Sequence, residues 1–296
     1  MPELPDIVAY QHALTNLLVG QTLEAVRLAS PFVLRTVDPS PRDFYGATLQ
    51  AIERIGKRIV FAFDRERFAV IHLMVAGRFQ WKEPKAKVPA KIGLLAFDFA
   101  PGTLLLTEAS TKKRASLHLV RGRDALDPFR RGGVEPLEVT RDQFREALLR
   151  ERHTLKRALT DPRLFSGIGN AYSDEILHAA KLSPVTRSDR LSEADITNLY
   201  MTTQRVLTEW TARLVAETEK GFPKKVTAFR PEMAVHGKYG TPCPVCGSDV
   251  QRIVYAENES NYCARCQTGG KLLADRSLSR LLKDNWPKTI DELEGR

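Results

Sequence analysis

The sequence predicts an α+β protein in three parts: a β-rich first half led by one helix, a helical second half, and a small metal-held hairpin near the C-terminus. Three observations predict it. From Thr22 to about Val120 the apolar residues fall in short or alternating runs broken by Gly, Pro and charged turns, which is the pattern of strands. Beyond residue 140 the apolar period lengthens to that of helices. All four cysteines lie between Cys243 and Cys266, as two C-x2-C pairs.

The elements come in order. Residues 5–18 place Ile7, Val8, Leu14, Leu17 and Leu18 at helical spacing. Ahead of them, "MPELPD" supplies proline for a first helical turn, with Glu3 and Asp6 at its positive end. Strands are expected at 23–29, 59–64, 69–75, 92–100 and 103–109, with "APGT" (100–103) as a hairpin turn. Many strands at short spacing suit a sandwich or a barrel. "RRGGVEPLEVT" (130–140) reads as a linker. Helices are expected at 141–151, 153–161 and 170–181, and from about Ser192 to Lys220. Ser192 with Asp195 forms a capping box for the last. Within 271–296, "RSLSRLLKDNW" has the pattern of a short amphipathic helix.

Composition narrows the function. The chain has 296 residues, 43% of them hydrophobic, enough for two domains with real cores. It has no apolar stretch near twenty residues and no basic-then-apolar leader. Neither a membrane span nor a signal peptide is expected, and the expected location is the cytoplasm, on the nucleoid in a bacterium. Net charge is +9 and the pI about 9.4, which favours a polyanionic partner. The cations cluster in "TKKRAS" (111–116), "FRRGG" (129–133) and "GFPKK" (221–225).

Two motifs carry chemistry. In "CPVCGSDVQRIVYAENESNYCARC" sixteen residues separate the two pairs, so Cys243, Cys246, Cys263 and Cys266 have four-thiolate zinc spacing. Four thiolates leave no open coordination position, so the zinc is structural. It staples "QRIVYA" (251–256) and "SNY" (260–262) into a hairpin that would be marginal alone. In "DPRLFSGIGNAYSDE" (161–175), Gly167 and Gly169 permit a tight turn, and Asn170 is placed to cap the helix after it. A helix N-terminus with free amides suits an anion, and in a basic protein a DNA phosphate.

Taken together these pieces resemble the formamidopyrimidine-DNA glycosylase and endonuclease VIII family of base-excision repair enzymes. The matching stretches are "MPELPD", "RIGKRIVFAF" (54–63), "LFSGIGNAYSDEILHAAKLSP" (164–184), "VHGKYGTPCPVCG" (235–247) and "YCARCQ" (262–267), in the family's order. The resemblance implies a catalytic β-sandwich domain over 1–132, a helix–two-turns–helix DNA-binding domain over 138–228 and a four-Cys zinc finger over 233–270. Residues 271–296 form an extension outside it. It also implies a monomer acting on damaged DNA with one structural zinc. The initiator Met is removed in this family and the new terminal proline, here Pro2, is the nucleophile. A terminal amine has a pKa near 7.7–8.0, so roughly a tenth is neutral at pH 7, ready to attack C1′ of a deoxyribose. While Met1 remains, the Pro2 nitrogen is an amide and inert. Glu3 follows the family's proton-shuttling acid, Lys57 its early strand lysine, and Asn170 its phosphate holder beside an extruded nucleotide.

Departures from the family concern DNA contacts. Asp6 stands where Glu is usual. Asn258, between Glu257 and Glu259, stands where an arginine grips phosphates. "HLMVAGR" (72–78) offers Met74 or Val75 as a stack-filling wedge. "STKKRAS" (110–116) replaces an Arg–Phe pair with Lys112, Lys113 and Arg114 and has no aromatic. Two other functions share these features: a non-catalytic damaged-DNA-binding protein on the same scaffold, and a zinc-ribbon module binding RNA or protein.

Overall fold

The computed structural model describes residues 1–296 apart from 224, 225, 228, 256, 257, 275–280, 282–286 and 296, and only the backbone at 255 and 258. The described chain forms two compact units, Met1–Arg131 with Glu209–Ala228, and Gly132–Thr208 with Phe229–Arg296.

In the first unit, helix α1 spans Leu4–Leu18 and buries Leu4, Ile7, Tyr10, Leu14 and Leu18, one apolar stripe at helical spacing. Eight strands come after it: β1 (Leu23–Leu28), β2 (Leu49–Ile55), β3 (Arg58–Phe63), β4 (Arg67–His72), β5 (Gly77–Lys82), β6 (Gly93–Phe99), β7 (Gly102–Glu108) and β8 (Ser116–Arg121). They make two four-stranded sheets, ordered β1-β6-β7-β5 and β2-β3-β4-β8, with every hydrogen-bonded pair antiparallel. Phe61 of one sheet meets Phe97 and Phe79 of the other at ring-centroid distances of 5.4 and 6.3 Å. The architecture is therefore a sandwich. Each fully buried Phe contributes roughly 1.5–3 kcal/mol.

Three strands, β2, β5 and β8, were not singled out by the sequence pattern. β2 carries a bulge between Leu49 and Ala51 that breaks its alternation. The strand expected at 69–75 stops at His72, because Met74 takes a left-handed conformation (φ 53°) that turns the chain. Lys57 is not on a strand. It is the second residue of the two-residue β2–β3 turn, where Gly56 supplies the positive φ (58°) that such turns demand.

The second unit contains α2 (Arg141–Leu149), α3 (Leu155–Thr160), α4 (Asn170–Ala179) and the first part of α5 (Glu193–Thr218). It then contains β9 (Gln251–Tyr255), β10 (Asn258–Tyr262), α6 (Ala264–Thr268) and α7 (Ile290–Glu294). The Ser192–Asp195 capping box is formed, each residue's amide donating to the other's side chain at 3.1 Å. The expected linker is tied down: Val134 N donates to Leu164 O (3.0 Å) and Ser166 N to Val134 O (2.8 Å). "RSLSRLLKDNW" lies almost wholly outside the described residues. Beyond it, Ile290 packs against Ile253, Tyr262 and Ala264. Arg265 of the zinc finger holds Asp291 and Glu294. The end of the extension thus closes the apolar side of the hairpin.

Candidate active site and nucleic-acid interface

The N-terminus is a fixed point. Glu3 is the N-cap of α1 and only 2% exposed, and its amide donates to Asp6 Oδ2 at 3.0 Å. Asp6, fully buried at the third helical position, is thereby a positioning residue for Glu3, beyond the general dipole role its place suggested. α1 is anchored downstream by Tyr10, whose hydroxyl accepts from Phe79 N (3.2 Å), and by Gln11 Nε2 donating to Ile52 O (2.8 Å). Pro2 is buried beside Glu3. Burial pushes the pKa of the Met1 amine down, opposed by Glu3 and Asp6 and assisted by Arg78 and Lys57. The same surroundings would favour the neutral form of an amine on Pro2.

Lys57 lies beside a basic cluster that periodicity did not reveal. Arg58 on β3 is paired with His72 on β4, and His118 on β8 is one diagonal step away. Phe129 packs edge-on against His118 at 5.0 Å and lies under the Arg58 guanidinium at 5.8 Å. Burial first, then Arg58, Lys57, His118 and Arg131, lower the His72 pKa to about 4. Neutral His72 can donate one N–H, and the surrounding cations suit a phosphate.

This depressed value predicts a pH effect. Between pH 6.5 and 4 an unfolded chain takes up the proton that folded His72 refuses. Stability should therefore be unaffected by this residue above pH 6.5 and fall by up to about 3 kcal/mol as pH drops from there through 4. Stability–pH curves of wild type and His72→Gln check it: the variant's curve is expected to be flatter in that window, and superimposable curves would contradict the assignment.

The loops at one end of the β1-β6-β7-β5 sheet carry the candidate wedges. Val75 is 56% exposed at the β4–β5 turn, while Met74 is half-buried. Arg78 braces this turn, its Nη1 donating to Val75 O (3.2 Å) and Gly77 O (2.6 Å). In the loop 109–115, buried Glu108 accepts from the amides of Arg114 (2.8 Å) and Ala115 (2.9 Å). The Lys113 ammonium donates to the carbonyls of Lys91 and Glu108, whereas Lys112 and Arg114 are exposed. Lys113 therefore staples the loop.

In the second unit the turn before α4 is built as its glycines suggested, with Gly167 at φ 81°. The expected cap is not. Gly169 is the N-cap and Asn170 the first helical residue. The Asn170 side chain instead reaches the hairpin, Nδ2 donating to Glu259 O at 2.7 Å. α4 is tied to its surroundings by two buried carboxylates. Asp174 receives Lys156 Nζ (2.5 Å) and the Ser260 hydroxyl (2.9 Å), and lies 2.8 Å from His236 Nδ1. Glu175 accepts the amides of Ala234, Val235 and His236 at 2.8–2.9 Å. The Asn258 backbone pairs with Tyr255, and its side chain lies outside the described part of the structure.

The four cysteine sulfurs lie within 4.8 Å of one another. A tetrahedron of Zn–S bonds near 2.3 Å has edges of about 3.8 Å, and the Cys243–Cys266 separation is 3.9 Å. The donor set fits one structural zinc. His178 Nε2 on α4 lies 3.3 Å from Cys243 Sγ, a contact that links the helix to the metal site.

Comparison with known proteins agrees with this geometry. Residues 1–114 match the formamidopyrimidine-DNA glycosylase N-terminal domain, 133–217 its H2TH domain, and 240–269 the zinc finger found in FPG and IleRS. Formamidopyrimidine-DNA glycosylase of Bacillus subtilis is 30% identical over 284 residues, covering 90% of this chain and 99% of the relative. The chain belongs to the formamidopyrimidine-DNA glycosylase family. An uncharacterized formamidopyrimidine-DNA glycosylase-like protein of Mycobacterium tuberculosis is 42% identical over 151 residues, 51% of this chain and 94% of that protein. The Lactococcus lactis Fpg in complex with DNA containing an abasic site superposes with a TM-score of 0.79 at 26% identity, over 90% of this chain and 99% of that one. For this family member, sequence reasoning passed over Arg78, His72 and Asp174. Their signals were faint: an arginine after a turn glycine, a histidine ending a strand, and an acid in an otherwise buried helix.

Among the described residues, no helix is long and apolar enough to cross a membrane.

Proposed function

We propose that the chain is a bifunctional DNA glycosylase and AP lyase of base-excision repair, acting as a monomer on damaged DNA. One observation carries the catalytic assignment. Pro2 is buried at the head of a capped, anchored helix, beside Glu3, in surroundings that lower the pKa of a terminal amine.

With Met1 removed, the Pro2 nitrogen attacks C1′ of an extruded nucleotide. The N–C1′ bond forms, the glycosidic bond breaks, and the base departs with a proton. Glu3 is the group beside the amine that can supply and take up protons. The proline nitrogen gives up its proton, O4′ takes one up, and the C1′–O4′ bond breaks to open the sugar ring; because proline is a secondary amine, the ring-opened adduct is an iminium with a fixed positive charge. That charge acidifies the C2′ proton, whose removal expels the 3′ phosphate by β-elimination. Water then hydrolyses the iminium and frees the enzyme. Lys57 and His72 suit the phosphates beside the reacting sugar, and Asn170, set by the zinc hairpin, suits one on the other unit. Val75, Lys112 and Arg114 are the exposed groups available to the vacated stack. The zinc holds the hairpin in shape and takes no part in bond breaking.

Borohydride reduction of the iminium tests this reading. Protein with a verified free Pro2 terminus should become covalently linked to an abasic oligonucleotide. The same protein with Met1 retained or the terminus acetylated should not. Absence of the adduct with free Pro2 would leave the non-catalytic damage-binding reading in its place.

A further inference from the structure

In the β1-β6-β7-β5 sheet, β5 and β6 are both antiparallel to β7 and lie on either side of it. The segment joining them, 83–92, must therefore return the length of β7 as a crossover strap. Its sequence, "EPKAKVPAKI", comes after Lys82 and contains Lys85, Lys87 and Lys91. With Lys82 and the loop 109–115, this surface carries seven cations against one acid, Glu83.

A run of lysines is most often a solvated face, and two observations separate this one from that case. First, the strap is fixed by contacts that leave its lysine side chains outward. Arg27 Nη2 donates to Ala86 O (2.7 Å), Gly93 N to Pro89 O (2.8 Å) and Lys113 Nζ to Lys91 O (3.2 Å). The last contact joins the strap to the 109–115 loop as one surface. Second, five arginines elsewhere on this unit are offset by acids, whereas, among the described residues, the lysines of the strap are not. Arg27, Arg67, Arg121, Arg123 and Arg130 each pair with an Asp or Glu. Among the described residues, Lys85, Lys87, Lys91, Lys112 and Arg114 form no such pair, and all five are exposed. Held in place yet uncompensated, this charge is arranged for an external polyanion.

We propose that the strap forms a cationic ridge, continued by the 109–115 loop toward the vacated stack, that binds the phosphate backbone of duplex DNA away from the reacting nucleotide. Its Lys91 end abuts the loop beside Val75, and its Lys85 end lies near Asp98 on β6. The ridge thus extends the footprint along β7, outward from the catalytic end. This deepens the proposed repair function and rests on it for the identity of the polyanion.

The test is the salt dependence of binding to an undamaged duplex of about 30 base pairs, measured by fluorescence anisotropy. Each phosphate contact contributes roughly −0.9 to the slope of log K against log[salt]. The triple variant K85Q/K87Q/K91Q should lose about 2–3 from the magnitude of that slope. Its affinity should fall at least tenfold at 50 mM salt. K85R/K87R/K91R should retain the wild-type slope, and both variants should melt with the wild type. A change of less than one in the slope of the glutamine variant would overturn the ridge. Undamaged DNA keeps this result separate from the borohydride experiment. A missing adduct with a normal slope loss would sink the chemistry and leave the ridge standing.

Discussion

Glu3→Gln protein is expected to keep its fold and lose base excision by about 10²–10⁴-fold, the usual contribution of a positioned proton-transfer group. Glutamine is the informative replacement because Glu3 has two jobs. It is the N-cap of α1 and nearly fully buried, so alanine would remove a cap and open a cavity together. Glutamine keeps the shape, the side-chain acceptor and the amide that Asp6 receives. It loses the ability to give and take a proton. Single-turnover excision from a damaged duplex reads that loss directly. A preformed abasic site needs no base to depart, so borohydride linkage to such a site should fall far less. Excision within about threefold of wild type, from protein of unchanged melting temperature, would remove Glu3 from the mechanism.

The parts of this site that were legible in the sequence are those where chemistry allows few substitutes. Four thiolates at fixed spacing can be read from letters alone, and so can a proline–glutamate terminus. Gly167 was legible because a positive φ excludes most other residues. Positions that act through tertiary register were not. His72 gains its depressed pKa from burial first, and then from facing Arg58 across the sheet and lying near Lys57 and His118. These residues come from three strands and a turn, and a linear pattern does not show that they meet. Asn170 illustrates the converse: a residue type with a strong local preference for capping is drawn into a tertiary contact, because Gly169 already occupies the cap. Asp174 and Glu175 fall on a helix whose neighbours are also buried, so no amphipathic stripe marks them. Lys156 on α3, the hairpin and the 234–236 segment explain why they are acids.

Loss of the metal should be felt through the same contacts. Cys263→Ser leaves three thiolates and should abolish stoichiometric zinc binding, with a loss of DNA affinity of about a hundredfold or more. Structural zinc sites contribute apparent free energies of about 10–16 kcal/mol in isolated fingers, more than a hairpin of two five-residue strands could replace from its own contacts. The damage should not stop at the finger. Cys243 touches His178, Gln267 donates to Leu182 O at 2.9 Å, Ser260 holds Asp174, and the Glu259 carbonyl holds Asn170. Release of β10 would leave the buried Asp174–Lys156 pair short of a donor and free the Asn170 side chain from its anchor on the hairpin. Hydrogen exchange should therefore speed up in α4 as well as in β9 and β10. The sandwich strands, whose core residues come from the first unit, should keep their protection. Chelation of wild-type protein should reproduce the pattern, and restored zinc should reverse it. If α4 stayed protected after the hairpin opened, the coupling of the Gly167–Asn170 turn to the metal through Asn170 and Asp174 would be wrong.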